Sequence, residues 1–320
     1  MENNLIVSSS PHLHTNVTTA KIMRDVIIAL LPAAVMGVFF FGFYAAAVMA
    51  VAIAAAMVSE CVFEKITKKQ NSIGDLSAVV TGLLLALNMP PRIPLYMVAI
   101  GSAFAIIIVK QMFGGLGKNF VNPALAARCF MLIAWTGAMT TFSVPLADAV
   151  SSATPLAIMK DDVTIPLIYI TTLPECLIGF KAGTIGEVSG LALIIGFAYL
   201  LIRRVVSIKI PLAYIASFAV LTFLFGNRAM SVEYTLYQIF TGGLLLGAFF
   251  MATDYTTTPT TSKGMIIFGI GCGVLTFLIR QFGGYPEGVS FSILLMNLAS
   301  PLIERFTIPK SFGHRGGAVK

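Results

Sequence analysis

The segment Asp148-Ala-Val-Ser151-Ser152-Ala153-Thr154-Pro155 sets three hydroxyls among small residues and ends on a proline. A residue before proline disfavours the α region, so Thr154 is expected on an extended, exposed loop with its hydroxyl open to a modifying enzyme. A second cluster is Lys118-Asn119-Phe-Val-Asn122-Pro123. Its two amides sit three apart and share a face if a helix begins there. Amides donate and accept, which suits the carbonyls and ring nitrogens of a bound heteroaromatic group; the simpler role is helix capping. Asp254 lies among Thr253, Thr256, Thr257 and Thr258. A carboxylate among hydroxyls at a membrane edge suits a cation or a cofactor, and is equally common as an exposed loop residue. Glu60, Asp75 and Glu187 fall near apolar segment ends, where side chains reach water. His12 and His14 have no companion ligands, and the four cysteines are scattered singly, so no zinc or iron–sulfur site is expected.

The elements that hold these residues must lie in a bilayer. Of 320 residues 57% are hydrophobic and only 11% charged, against about 25% charged in a soluble domain. That excludes a soluble enzyme, a nucleic-acid binder and a disordered regulator. The net charge of +7 comes without a basic block denser than Lys65, Lys68 and Lys69 or Arg203 and Arg204, a pattern of cytoplasmic loops rather than of a nucleic-acid surface. A spanning helix needs about 20 apolar residues, and ten segments qualify in outline: 22–42, 44–63, 75–90, 94–113, 121–136, 186–204, 210–226, 235–252, 264–280 and 288–304. The first could mimic a signal peptide, but its apolar run is long and a second span follows at once, so an uncleaved helix is expected. With both termini cytoplasmic, this layout puts sixteen Lys and Arg inside and five outside, as the positive-inside rule requires.

Two echoes divide the chain. Gly82-Leu-Leu-Leu-Ala-Leu-Asn-Met recurs in outline from Gly243, and Lys110-Gln-Met-Phe-Gly-Gly is echoed by Arg280-Gln-Phe-Gly-Gly, at offsets of about 161 and 170 residues. Two halves of five spans each, an odd number, enter the membrane from opposite sides and so form an inverted repeat. The expected fold is therefore an all-α polytopic membrane protein of about ten transmembrane helices in a five-plus-five inverted repeat. Its parts are a cytoplasmic segment 1–21, a first repeat 22–136, an outer loop 137–185, a second repeat 186–305 and a cytoplasmic tail 306–320. A secondary transporter or channel with no redox role also fits that architecture.

Asp148-x-x-Ser151-x-Ala153-Thr154 resembles the flavinylation motif of the RnfD/NqrB family of membrane subunits. Ser9-Ser10-Pro11-His12, Gly115-Leu-Gly-Lys118-Asn119-Phe-Val-Asn122-Pro-Ala and Thr253-Asp254 with Thr258-Pro259 resemble further family segments, so the likeness covers essentially the whole chain. Ala149 and Ser152 stand where the family commonly has glycine. The first span begins near residue 22, without the longer N-terminal extension of the sodium-pumping quinone reductase subunit, which favours the RnfD branch. The resemblance implies FMN joined through a phosphoester to Thr154 by a flavin transferase, with Asp148, Ser151, Ser152 and Ala153 forming the motif. It also implies a non-covalent riboflavin near Lys118, Asn119 and Asn122, with Asp254 as a further candidate. It implies a multi-pass electron-relay subunit of the bacterial inner membrane, in a complex that couples ferredoxin:NAD electron transfer to Na+ or H+ movement. Implied partners are the other members of that complex, including its flavinylated G subunit and its NADH-binding C subunit. The chain has no dinucleotide glycine fingerprint of its own.

Overall fold

The computed structural model describes residues 17–69, 72–145, 151–161 and 172–309. Asp148, the Ser9 to His12 segment, His14 and Lys320 lie outside the described residues. Helix α1, Thr19–Phe41, starts where the Thr18 hydroxyl accepts from the Lys21 amide, and it ends at Gly42, whose φ of 77° suits glycine. Helix α2, Phe43–Thr67, follows directly. Helix α3, Ser77–Leu87, is short; α4 runs from Leu95 to Phe104 and continues as a π-helical turn to Gln111. Helix α5, Pro123–Ala134, closes the first half.

Between the halves lie α6 (Thr136–Thr140), an antiparallel pair of two-residue strands, β1 (Phe142–Ser143) and β2 (Ser151–Ser152), then α7 (Pro155–Asp161) and α8 (Leu173–Ile178). The second half comprises α9 (Gly190–Ile202), α10 (Lys209–Phe225), α11 (Val232–Phe240), α12 (Leu244–Leu246, continuing as a π turn to Met251), α13 (Ser262–Phe282) and α14 (Val289–Thr307).

The all-helical membrane architecture holds, but the ten apolar segments are not ten equal spans. Among the described residues α1, α2, α13 and α14 are long and apolar enough to cross a membrane, and α11 with α12 makes a fifth candidate bent by 66°. At about 1.5 Å per residue, the 11 residues of α3 cover roughly half of a hydrocarbon core near 30 Å. The breaks lie inside the protein, where irregular backbone at membrane depth is tolerated. Asn88 to Pro91 and Gly183 to Ser189 are buried, and the two stretches bond each other: Ile185 N–H donates to the Met89 carbonyl at 3.0 Å and Gly186 N–H to the Leu87 carbonyl at 2.7 Å.

Packing follows the two halves. Helix α4 packs on α2 and α5, and α13 packs on α10 and α14; α1 meets α9 and α5 meets α14 across the middle. One core joins the halves, with Leu85, Leu87, Met89, Ile93, Leu125 and Met131 of the first against Leu193, Leu244, Leu246 and Ile293 of the second.

Candidate functional site

Asn119, Asn122 and Asp254 converge. Helix α5 begins at Pro123, so Asn119 precedes it and Asn122 is its N-cap, accepting from Ala124 N–H at 3.1 Å and Leu125 N–H at 3.3 Å. The expected shared helical face does not form, because proline at the first helical position fixes the start there. A turn brings the amides together instead. Asn119 Nδ2 donates to Thr256 Oγ1 at 3.0 Å, and Thr256 Oγ1 donates to Asp254 Oδ2 at 3.1 Å. Asn122 Nδ2 reaches the Met251 carbonyl at 3.3 Å, tying α5 to the end of α12. Lys118 is exposed and outside this network.

Asn119, Asn122, Asp254 and Thr256 line a cavity with about 780 Å³ of empty space, shared with Lys110, Ser77 and Phe250. Its walls are largely apolar with a few polar groups, the make-up of small-molecule sites. Asp254 lies in the turn beyond the π segment. Burial pushes its carboxyl above the ordinary carboxylate range, against the bonds it accepts from Thr256 and Thr257. Lys110 is 2% exposed; its Nζ lies 2.6 Å from Glu60 Oε1 and 2.6 Å from Ser77 Oγ.

Thr154 departs from expectation. It is only 6% exposed, since it ends an extended stretch as the residue before α7, and its Oγ1 accepts from Ala157 N–H at 3.2 Å. Ala153 beside it is exposed. The buried hydroxyl still borders open space: Thr154 lines a cavity with about 530 Å³ of empty space, whose walls include Phe142, Tyr285, Phe291, Leu132 and Arg128.

Buried charges are what the sequence does not reveal. The charge count places Arg128, inside the segment 121–136, on the cytoplasmic side; in the structure it is buried within α5, donating to Asn88 Oδ1 at 3.0 Å, to Ser290 Oγ at 3.0 Å and to Glu287. Glu187 Oε1 stands 3.8 Å from the same guanidinium. Glu60, at 0% exposed, and Glu187 do not reach water as expected. Nothing in the local sequence marks them, because a charged residue a few positions from a span end reads as a loop residue whether or not the backbone turns inward. Among the described residues, no group of three or more His, Cys, Asp and Glu forms a metal site.

A model of the NQR2, RnfD, RnfE family matches residues 6–313. The chain belongs to this family. It is 49% identical over 313 residues to the D subunit of the Na+-translocating ferredoxin:NAD+ oxidoreductase complex of Acetobacterium woodii, covering 98% of this chain and 96% of that one. It is 45% identical to the D subunit of the proton-translocating ferredoxin:NAD+ oxidoreductase complex of Clostridium ljungdahlii, with 98% of each chain covered. It is 36% identical to the D subunit of the ion-translocating oxidoreductase complex of Shewanella amazonensis, covering 97% and 98%.

Proposed function

We propose that this family member is the membrane electron-relay subunit of an ion-translocating ferredoxin:NAD oxidoreductase, carrying FMN on Thr154 and riboflavin in the cavity beside Asn119. The observation that carries the reading is the near full-length match to subunits named for that complex. Support for the flavins is local. Thr154 borders an apolar, aromatic-walled cavity, and Asn119, Asn122 and Asp254 meet at a second cavity. When bound, a flavin accepts and passes on electrons, and the protein's part is to position and tune it.

In the first cavity the Thr154 oxygen is the attachment point, while Phe142, Tyr285 and Phe291 give a ring apolar surface and Arg128 gives it a cationic edge. In the second, Asn119 and Asn122 bring amide donors and acceptors, and Lys110 brings a charge already balanced by Glu60. Further elements of the proposal are an inner-membrane location with cytoplasmic termini, the G and C subunits as neighbours and a flavin transferase for maturation. The two relatives named for a particular ion differ, Na+ in one and H+ in the other, so identity to them does not select the coupling ion.

The test is the intact mass of the purified chain co-produced with a flavin transferase. Added mass equal to one FMN residue, lost in Thr154→Ala, supports the covalent site; an unchanged mass in the wild type refutes it. Acid extraction tests the second site. Asn119→Leu combined with Asn122→Ser, which retains a capping oxygen, should release the non-covalent flavin and leave the Thr154 adduct. Each buried polar atom left unpaired costs roughly 1–3 kcal/mol, so retention of extractable flavin in that variant contradicts the assignment.

A further inference from the structure

Lys110 and Arg280 hold matching positions in the two halves. Each lies at the end of a helix that packs on another helix of its half, α4 on α2 and α13 on α10, and each is buried, Arg280 at 7% exposed. Their neutral partners match as well. Lys110 bonds Ser77; Arg280 bonds the carbonyl of Gln238 and, at 3.2 Å, its Oε1. Ser77 and Gln238 are separated by the same offset as Gly82 and Gly243.

The charged partners differ. Helix α2 gives Lys110 a carboxylate, Glu60. Helix α10 gives Arg280 the ring of Phe218, 5.0 Å from the guanidinium carbon, and no acid. The acids whose charge reaches Arg280, Glu187 and Glu287, face Arg128. The third acceptor of Arg280 is again neutral, the Thr241 carbonyl at 3.4 Å. Capping the carbonyls at the end of α11 accounts for both Nη atoms. It leaves Nε without a hydrogen-bond partner, and the buried Thr222 hydroxyl is likewise unbonded.

Arg280 and Thr222 both line one cavity, with about 350 Å³ of empty space between α7, α10, α11 and α13. Asn227, Tyr234, Gln238 and Gln281 add polar side chains, and Lys160, which also bonds the carbonyls of Gly283 and Tyr285, adds a second cation. Among the described residues that line the cavity, none offers Arg280 a carboxylate. A buried charge is strongly disfavoured unless an opposite charge meets it.

We propose that this cavity binds a phosphate group, with Arg280 as its principal partner. The guanidinium fork matches phosphate oxygens, and a tetrahedral oxyanion has acceptors for more of the lining donors than a carboxylate does. The phosphate can belong to a phospholipid headgroup or be free in solution; both present the same chemistry to Arg280. The inference stands on this cavity and is independent of the flavin reading.

The full chain, purified in detergent and delipidated, is titrated with sodium phosphate at constant ionic strength, with acetate as comparator, while thermal unfolding is followed. Phosphate should raise the unfolding temperature saturably and acetate should not. Arg280→Gln should weaken the phosphate response at least tenfold, and Thr222→Val, which keeps the cation, several-fold. Native mass spectra before delipidation separate the sources. A retained phospholipid that is lost in Arg280→Gln identifies a headgroup; its absence, with the phosphate response intact, identifies free phosphate. Equal responses to phosphate and acetate overturn the proposal. So does a Thr222→Val protein that matches the wild type in both measurements, a result that decides the matter even if Arg280→Gln fails to fold.

Discussion

Thr154 has two tasks that substitution can separate. Its hydroxyl oxygen caps α7 and is the proposed attachment atom. Thr154→Ser keeps an oxygen at the same position, so yellow-green in-gel fluorescence should persist in Thr154→Ser and vanish in Thr154→Ala. The alanine variant should also lose about 1 kcal/mol, the usual effect of a missing N-cap, a loss that global unfolding in detergent would reveal only as a small shift. Fluorescence retained by Thr154→Ala would place the flavin elsewhere. A second residue-scale expectation concerns Glu60. Its Oε1 is shared by Lys110 Nζ and, at 2.8 Å, by Gln111 Nε2. Glu60→Gln leaves Lys110 charged, buried and without its counter-charge, a change that destabilises by roughly 3–5 kcal/mol. The joint replacement Glu60→Leu with Lys110→Met removes both charges and should restore most of that loss in the same unfolding assay. A double variant no more stable than Glu60→Gln would show that the pair is not what holds this corner together.

At the scale of elements, the sequence exposes the apolar content and hides the breaks. Hydropathy over 75–90 or 186–204 reads as a span, but it does not register whether the backbone stays helical, and Asn88-Met-Pro-Pro and the run before Ser189 do not. The repeated Gly82 and Gly243 motifs and the capping role of Asn122 are legible because both depend on local residue types. The convergence of Arg128, Glu187 and Glu287 is not, because it depends on which unwound stretch faces which. Gly186 shows how close that approach is. A Cβ there would stand 2.7 Å from Leu87 Cβ and 2.9 Å from the Leu87 carbonyl oxygen, the same carbonyl that Gly186 N–H bonds. Gly186→Val should force the two buried stretches apart and cost about 1–3 kcal/mol or more, as overpacking does. The expected readout is a lower unfolding temperature together with faster proteolysis between α8 and α9; wild-type stability would mean that the junction yields without loss.

For the whole molecule, the structure changes the charge argument without reversing it. Lys110 and Arg128 on the inner tally, and Lys181 and Arg280 on the outer, are buried within the protein and do not sit in exposed loops. Leaving them out makes the count fourteen inside against three outside, a stronger bias in the same sense. The two proposed flavin cavities then fall at different depths along one helix. Asn122 and Pro123 at the start of α5 border the cavity beside Asn119, and Cys129 and Leu132 further along border the cavity beside Thr154. At about 1.5 Å per residue, α5 carries one cavity roughly 10–15 Å deeper than the other, so the Asn119 cavity should open toward the cytoplasm and the Thr154 cavity toward the far side. Reporter fusions examine this directly. Fusions at Lys69, Lys209 and Lys320 should report the cytoplasm, and one at Asp162, close in sequence to Thr154, should report the outside. If the Asp162 fusion reports the cytoplasm, Thr154 and the Asn119 cavity lie on one side of the membrane, and a relay between flavins on opposite faces is lost with the topology.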